Sequence, residues 1–449
     1  SILLLISLIM LSRILNYLTA PFYLYDLARL HNELYLDDQA IKKLQERKLR
    51  SLIIHAYNNV AYYKKTFDAV CLKPQQIRVI SDLIKIPITS RTDLSQYDVW
   101  DITAKGENIS KYKNLVTSGS TGVPLNIFVN PREHRLRGLF NQMVNFENGC
   151  SIMDKILYIT GERHFQEKKL CSYLGAMRES YISVYCDADE ILNRIYSFRP
   201  TVIRGFVSNI IEVALKIEKI GLNGIKVGKI ITTAEVLGKK ERELITRIFK
   251  AEVFDNYASN ESGMMAWECR AHNGLHINSS NLILETLDDQ GNILNEGEGS
   301  IVITNLSLYT MPLIRYKIGD RGILTLNKCP CGRNPKLLKR IIGREVELLK
   351  LSEGAANVYY PLTDLIDGFS GIAQYQIEQG GDNNITIKIV RNKAFKEGDT
   401  DLLLRKCYAL LGNKIKLHYE FVTEIIKSRS GKYKTIISNI SHLPGYFLS

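Results

Sequence analysis

The sequence predicts an α/β fold in two parts: a large N-terminal domain of βαβ-type sheets with an antiparallel subdomain, and a small α+β domain at the C-terminus. Three observations carry this. At 449 residues the chain exceeds what one compact core supports, so at least two domains are expected. Between residues 155 and 258 strand-like and helix-like stretches alternate, the pattern of parallel strands joined by crossover helices. After about residue 277, and again after 345, the texture of the chain changes.

The elements follow in order. Residues 1–37 are an apolar extension whose unbroken run ends at Arg13, short of the roughly 20 residues that a transmembrane helix requires. It lacks the positively charged start of a signal peptide. A helix packed on the body is expected there, with peripheral contact of residues 1–28 with a membrane surface as the rival. Ile41, Leu44, Leu49, Leu52, Ile53 and Ala56 recur at helical spacing, which predicts an amphipathic helix over 38–57. HRLRGLFNQMVNFENG reads as helix and KILYITG as strand. PTVIRGF, SNIIEVALKIEKIG, KVGKIITTAE, GKKERELITRIFKA and EVFDNYA then read strand, helix, strand, helix, strand. From about 277, NLILETLDDQGNILNEGEGSIVITNL has strands without helices, joined by a turn at Gln290-Gly291, hence the antiparallel subdomain. AQYQIEQ, NITIKIV, DLLLRKCYALLG and KIKLHYEFV give strand, strand, helix, strand. The boundary falls just after IIGRE, giving domains at 1–345 and 346–449.

Hydrophobic residues make up 45% and charged residues 24%, the balance of a soluble globular protein. The net charge of +12 is scattered rather than gathered into an arm, which disfavours nucleic acid; a polyanionic nucleotide is partner enough. Eight cysteines in a chain this long do not make a disulfide framework and fit a reducing, cytoplasmic setting.

Within LVTSGSTGVPLNIFVN, six consecutive residues are hydroxyl-bearing or glycine: Thr117, Ser118, Gly119, Ser120, Thr121 and Gly122. A Walker-type loop needs Gly-Lys-Ser/Thr running into a helix. Here Gly122 is followed by Val-Pro and then by the alternation of a strand, so the setting is strand–loop–strand. The two glycines can free backbone N–H groups for an anion nest, and the hydroxyls add donors, which suits a triphosphate tail. An ordinary hairpin turn uses the same residue types. Further along stand TTAE at 232–235, YASNESG at 257–263, YKIGDRG at 316–322, IIGRE at 341–345 and SRSGKYK at 428–434.

In that order the motifs resemble the adenylate-forming superfamily, more narrowly the phenylacetate–coenzyme A ligase branch and its CapK-like capsular polysaccharide proteins. KLRSLIIHAYNNVAYYKKTF, TTAEVL, WEC, GLH and MPLIRYKIGD carry that branch's flavour, and the resemblance runs from about 40 to 435. It implies an AMP-forming acid–thiol ligase. ATP and a carboxylic acid would give an acyl-adenylate and pyrophosphate, and the acyl group would pass to an acceptor, coenzyme A by default. The alternatives are transfer to a sugar amine or hydroxyl or to a carrier protein in surface polysaccharide synthesis, and a nucleotide-binding scaffold without catalysis.

By the same resemblance, Asp320 accepts hydrogen bonds from ribose hydroxyls, Tyr257 flanks adenine and Glu235 is an acid on the nucleotide side. Glu261 helps hold Mg²⁺ on the triphosphate; a hard ion that keeps waters needs little more than one carboxylate and phosphates. Arg344 contacts the nucleotide at the domain boundary. Lys432, on a mobile C-terminal domain, neutralises charge at the α-phosphate, with Lys434 as its near competitor. Residues 203–209 would line the acyl pocket. The chain departs from the branch at Val346, where relatives carry Asp or Lys at the hinge, and in the Ala and Asn of YASNESG.

Cys329-Pro-Cys331 lies downstream of Cys269, which His272 and His276 follow. Cys269, His276, Cys329 and Cys331 would make a Cys₃His set for structural Zn²⁺, four protein ligands leaving no open position. His272 could replace His276; the Gly-Leu-His context of the resembled branch favours His276.

Overall fold

The computed structural model describes residues 25–116, 125–161, 177–222, 224–345, 359–380, 384–411, 415–425 and 435–438. A helical stretch at 25–33 leads to helix α1 (Asp38–Asn59) and helix α2 (Ala61–Ala69). The Asp37 side chain caps α1 by accepting from the Ala40 amide, and the predicted stripe buries Leu49, Leu52, Ile53 and Ala56. Strand β1 (Thr89–Ser90) precedes a hairpin of β2 (Lys113–Val116) and β3 (Asn126–Val129), so the strand–loop–strand reading of that region holds on both flanks. Helix α3 (Pro131–Glu147) follows, opened by an Asn130–Glu133 capping box and a proline at its first position.

Next comes the predicted alternation: β4 (Lys155–Thr160), β5 (Arg178–Ser183), α4 (Ala188–Phe198), β6 (Val202–Phe206), α5 (Val207–Ile220), β7 (Lys229–Thr233), α6 (Lys239–Phe249) and β8 (Glu252–Ser259). The strands pair in parallel, in the order β5, β4, β6, β7, β8. Their Leu157, Ile159, Ile203, Ile230 and Val253 pack on one face against apolar stripes of α4, α5 and α6.

The antiparallel half begins sooner than residue 277 and is continuous with the parallel half. After β8 come β9 (Gly263–Glu268), β10 (Leu275–Ile277), β11 (Leu282–Leu287), β12 (Ile293–Leu294), β13 (Gly297–Asn305), β14 (Tyr316–Thr325) and β15 (Leu337–Arg344). Strand β9 pairs with β8, and the sheet runs on through β10, β15, β14, β13, β11 and β12 to make thirteen strands with β1. GMMAWE hides this strand from periodicity because nearly all of its residues are buried, so no alternation of period two is left to read. The turn at Gln290-Gly291 is present: Gly291 has φ +86° and Asp288 exchanges hydrogen bonds with Asn292 across it.

The C-terminal part has helix α7 (Tyr359–Asp367), strands β16 (Ile372–Gln379) and β17 (Asn384–Arg391), helix α8 (Asp399–Leu411), and strands β18 (Lys416–Phe421) and β19 (Ile436–Ser438). Its four-stranded sheet, in the order β18, β17, β16, β19, covers a core of Leu362, Ile366, Ile377, Ile387, Leu403, Cys407 and Ile436. Ile342 of β15 is buried in that core and Ile323 of β14 packs on it. Leu30 and Leu34 pack against Phe140, Met143, Val144 and Trp267, so the end of the apolar extension lies on the body. Among the described residues no helix is long and apolar enough to cross a membrane; residues 1–24 lie outside them.

Candidate functional site

Three stretches of the chain meet at the C-terminal end of β8. The Asn260 side-chain amide donates to the Val116 carbonyl at 2.7 Å, and Val116 is the residue just before the hydroxyl-and-glycine loop. Arg137 of α3, the helix after that loop, donates to the carbonyls of Asn260 at 2.9 Å and Glu261 at 2.7 Å. The 257–263 motif is thus tied to both flanks of the loop, while Thr117, Ser118, Gly119, Ser120, Thr121 and Gly122 themselves lie outside the described residues. Gly263 closes the motif at φ +74°, a left-handed conformation that a side chain would strain.

Tyr257, Asp320 and Arg344 form one contact group. The Tyr257 hydroxyl donates to Asp320 Oδ2 at 2.6 Å, and Arg344 Nε stands 3.0 Å from Asp320 Oδ1. The last pairing follows from sheet register, since Asp320 of β14 sits opposite Arg344 of β15. A second Arg344 nitrogen donates to the Ile318 carbonyl at 3.0 Å, which fixes the plane of the guanidinium. Asp320 is 7% exposed. Desolvation, then the charge of Asp320, hold the Tyr257 hydroxyl well above its ordinary pKa, so it stays a donor.

Glu261 is 2% exposed, and its Oε1 accepts from Arg91 at 2.8 Å. One oxygen is therefore committed to a guanidinium. Arg91 escaped the sequence reading: it opens a short helix capped by Ser90 and Asp93, and nothing local marks it as a partner of a residue 170 positions away. Glu235 takes an unforeseen place. Its Oε2 accepts from the Ser208 amide at 2.7 Å, so it caps α5, whose own N-cap, Phe206, has no side chain that can accept. Residues 203–209 thereby lie beside the TTAE turn, where Ala234 has φ +69°. Lys432, Lys434 and Val346 lie outside the described residues.

The cysteine reading comes together in space. The ligand atoms of Cys269, His276, Cys329 and Cys331 all lie within 4.8 Å of one another. The Sγ atoms of Cys269 and Cys329 are 3.6 Å apart, and Cys331 Sγ is 3.3 Å from His276 Nε2. Sulfur and nitrogen ligands at tetrahedral angles around zinc stand roughly 3.5–3.8 Å apart, so the set fits that ion. Burial, with the Arg333 charge, lowers His276 to about 4, which keeps its ring neutral as a ligand must be. Gly274 lets β10 in: a Cβ there would lie 2.8 Å from the Leu338 carbonyl of β15. His272 is elsewhere, within 3.4 Å of Glu268 and 3.5 Å of Glu252, so the alternative ligand drops out.

A second buried group was not foreseen. Glu268 accepts from the Asp255 amide at 2.9 Å and meets Arg242 with both oxygens, at 3.1 and 2.9 Å. Burial, then the charge of Glu268, raises the Asp255 carboxyl to about 7.

Comparison with known proteins adds the following. The family described as the CapK C-terminal domain matches residues 352–439. Protein CapK of Staphylococcus aureus is 25% identical over 412 residues, covering 89% of this chain and 89% of that protein. The phenylacetate–coenzyme A ligase of Thermus thermophilus is 26% identical over 347 residues, covering 72% of this chain and 74% of that protein. A solved structure of 2-hydroxyisobutyryl-CoA ligase, in the postadenylation state with R3-HIB-AMP, superposes with a TM-score of 0.75 at 15% identity, over 91% of each chain.

Proposed function

We propose that this chain, a relative of CapK and of the phenylacetate–coenzyme A ligases with the fold of the adenylate-forming superfamily, is an AMP-forming ligase that activates a carboxylic acid. The observation that carries the reading is the convergence of Tyr257, Asp320 and Arg344 beside a motif bonded to both flanks of the hydroxyl-and-glycine loop.

In this reading a substrate carboxylate oxygen attacks the α-phosphorus of ATP, and the bond to the leaving pyrophosphate breaks. The 117–122 loop cradles the phosphates with backbone N–H and hydroxyl donors. Asp320, oriented from two sides, accepts the ribose hydroxyls, and Tyr257 offers its ring to adenine. Arg344 sets the Asp320 carboxylate and faces the nucleotide. Mg²⁺ would be held by Glu261 together with the phosphates, and would supply charge neutralisation on the triphosphate. Lys432 comes from a small C-terminal domain, residues 346–449, to meet charge at the α-phosphate. Glu235 acts from the TTAE turn through the N-terminus of α5, which makes it a positioning residue. Cys269, His276, Cys329 and Cys331 would hold Zn²⁺, which would supply a structural tie between β10 and the Cys-Pro-Cys turn.

Coenzyme A is the default acceptor of the acyl group. Transfer to a sugar or to a carrier protein is the alternative that the same experiment decides. The test is acid-dependent exchange of pyrophosphate into ATP across aryl, hydroxy and amino acids, followed by acyl transfer from the adenylate to coenzyme A. Exchange without thiol transfer would select the other acceptors. No exchange with any acid, in a chain that binds ATP, would leave the scaffold.

A further inference from the structure

Lys240 breaks a local rule. It stands beside Lys239 in the first turn of α6, where a cation opposes the helix dipole, and the N-cap Gly238 supplies no side chain. Within α6 the charges of Glu241 and Glu243 favour the cation, but they do not place its Nζ. Its contacts do. Lys240 Nζ donates to the carbonyls of Ile366 at 2.9 Å, Phe369 at 2.6 Å and Ile372 at 3.1 Å. An ammonium has three N–H donors, and each has an acceptor.

All three carbonyls belong to the C-terminal part. Ile366 lies in the last turn of α7, Phe369 in the turn that follows, and Ile372 opens β16. The last carbonyls of a helix lack intrahelical donors and carry the negative end of its dipole, so this is where a cation gains most. The Ile366 and Phe369 carbonyls already accept from the amides of Phe369 and Ile372, and Lys240 takes their second lone pairs. The C-terminal core meets the main sheet at an apolar seam, Ile342 and Ile323. The joint therefore has a greasy seat and a three-point polar fastening by the Lys240 side chain.

We propose that Lys240 is a positioning residue that clamps the C-terminal part to the body in the arrangement of this structure, and that this arrangement serves one of the two half-reactions better than the other. The second clause rests on the two-step reaction proposed above; the clamp itself is a contact that can be measured without ATP. The energetic sense is that of a latch: solvated lysine and solvated carbonyls recover water when the joint opens, so the fastening biases the equilibrium without locking it.

The experiment compares the full-length chain with Lys240→Met and with Lys239→Met as the neighbouring control. Amide hydrogen exchange across 366–372 is expected to quicken about tenfold in Lys240→Met and to stay unchanged in Lys239→Met. Lys240→Arg keeps the charge, but its planar fork cannot meet three converging carbonyls, so it should fall between. Acid-dependent pyrophosphate exchange and acyl transfer from preformed adenylate should move in opposite directions in Lys240→Met, because the clamped arrangement serves one better than the other. Exchange at 366–372 equal to that of the unsubstituted chain overturns the clamp. Faster exchange with both half-reactions reduced alike overturns the positioning role and leaves a structural contact. A chain with no pyrophosphate exchange at all refutes the proposed function, and the hydrogen-exchange comparison still decides the clamp.

Discussion

Replacing Asp320 by alanine separates a binding role from a structural one. The carboxylate accepts from Tyr257 at 2.6 Å and pairs with Arg344 at 3.0 Å, so its removal strands a hydroxyl and a guanidinium together. Arg344 is 26% exposed and keeps its bond to the Ile318 carbonyl, so solvent takes up part of the loss. A stability decrease of about 1–3 kcal/mol is expected, the range for hydrogen bonds to a charged group. ATP should lose a similar amount from the missing ribose contacts, which is a rise in dissociation constant of about 5- to 150-fold. Calorimetric titration with ATP at fixed Mg²⁺, beside a thermal melt of the same sample, reads the two separately. Tyr257→Phe is the control: it removes the same hydroxyl partner and keeps the ring, so stability should fall by about 1 kcal/mol while ATP affinity changes little. A folded Asp320→Ala protein that binds ATP as the unsubstituted chain does would refute the ribose assignment, and equal affinity losses in both variants would show that the contact group is architectural.

Zinc should accompany the purified chain at about one per molecule and be lost in Cys331→Ser, with a lowered melting temperature under chelator; zinc-free protein from a reducing preparation without chelator would reduce the four residues to a turn. Lys432→Ala should lose about 10²–10³ of acid-dependent pyrophosphate exchange with less than a tenfold change in ATP affinity, while Lys434→Ala stays mild; the reverse outcome would move the role to Lys434. The Asp255 carboxyl, raised to about 7 by burial and by Glu268, favours the fold fully below its unfolded value near 3.8, and that contribution is lost as pH rises through about 7. Asp255→Asn should therefore match the unsubstituted melting temperature below about pH 3.8 and exceed it by a margin that grows up to about pH 7; a constant difference across that range would show that Asp255 is not the titrating group.

What the sequence revealed and what it hid divide along physical lines. Local signals survived: the stripe of α1, the alternation through β8, and the Gly291 turn are written in neighbouring residues. The Cys₃His set was legible because sulfur and imidazole have few other reasons to recur at such spacings, but the choice between His272 and His276 waited on register. Strand β10 places His276 opposite Trp267 and Leu337, inside the sheet, while His272 sits before the strand with φ +48°. Strand β9 was hidden by being buried throughout. Arg91, Arg137 and Lys240 were hidden for another reason: a basic residue looks the same in sequence whether it faces water or a carboxylate or carbonyl more than a hundred positions away. Glu235 was read as a nucleotide-side acid from its motif, and its cap on α5 depends on a loop crossing no local pattern encodes.

Strands β14 and β15 carry more than a binding pocket. Asp320 and Ile323 are three residues apart on the first, and Arg344 and Ile342 are two apart on the second. One end of this ladder faces the candidate nucleotide site and the other is embedded in the C-terminal core, about 10 Å along the strands. Between the two ends the register of the pair slips at Arg321 and Gly322, so they are joined through a bulge. The candidate nucleotide contacts and the seat of the C-terminal core are thus built on the same two strands, a few residues apart.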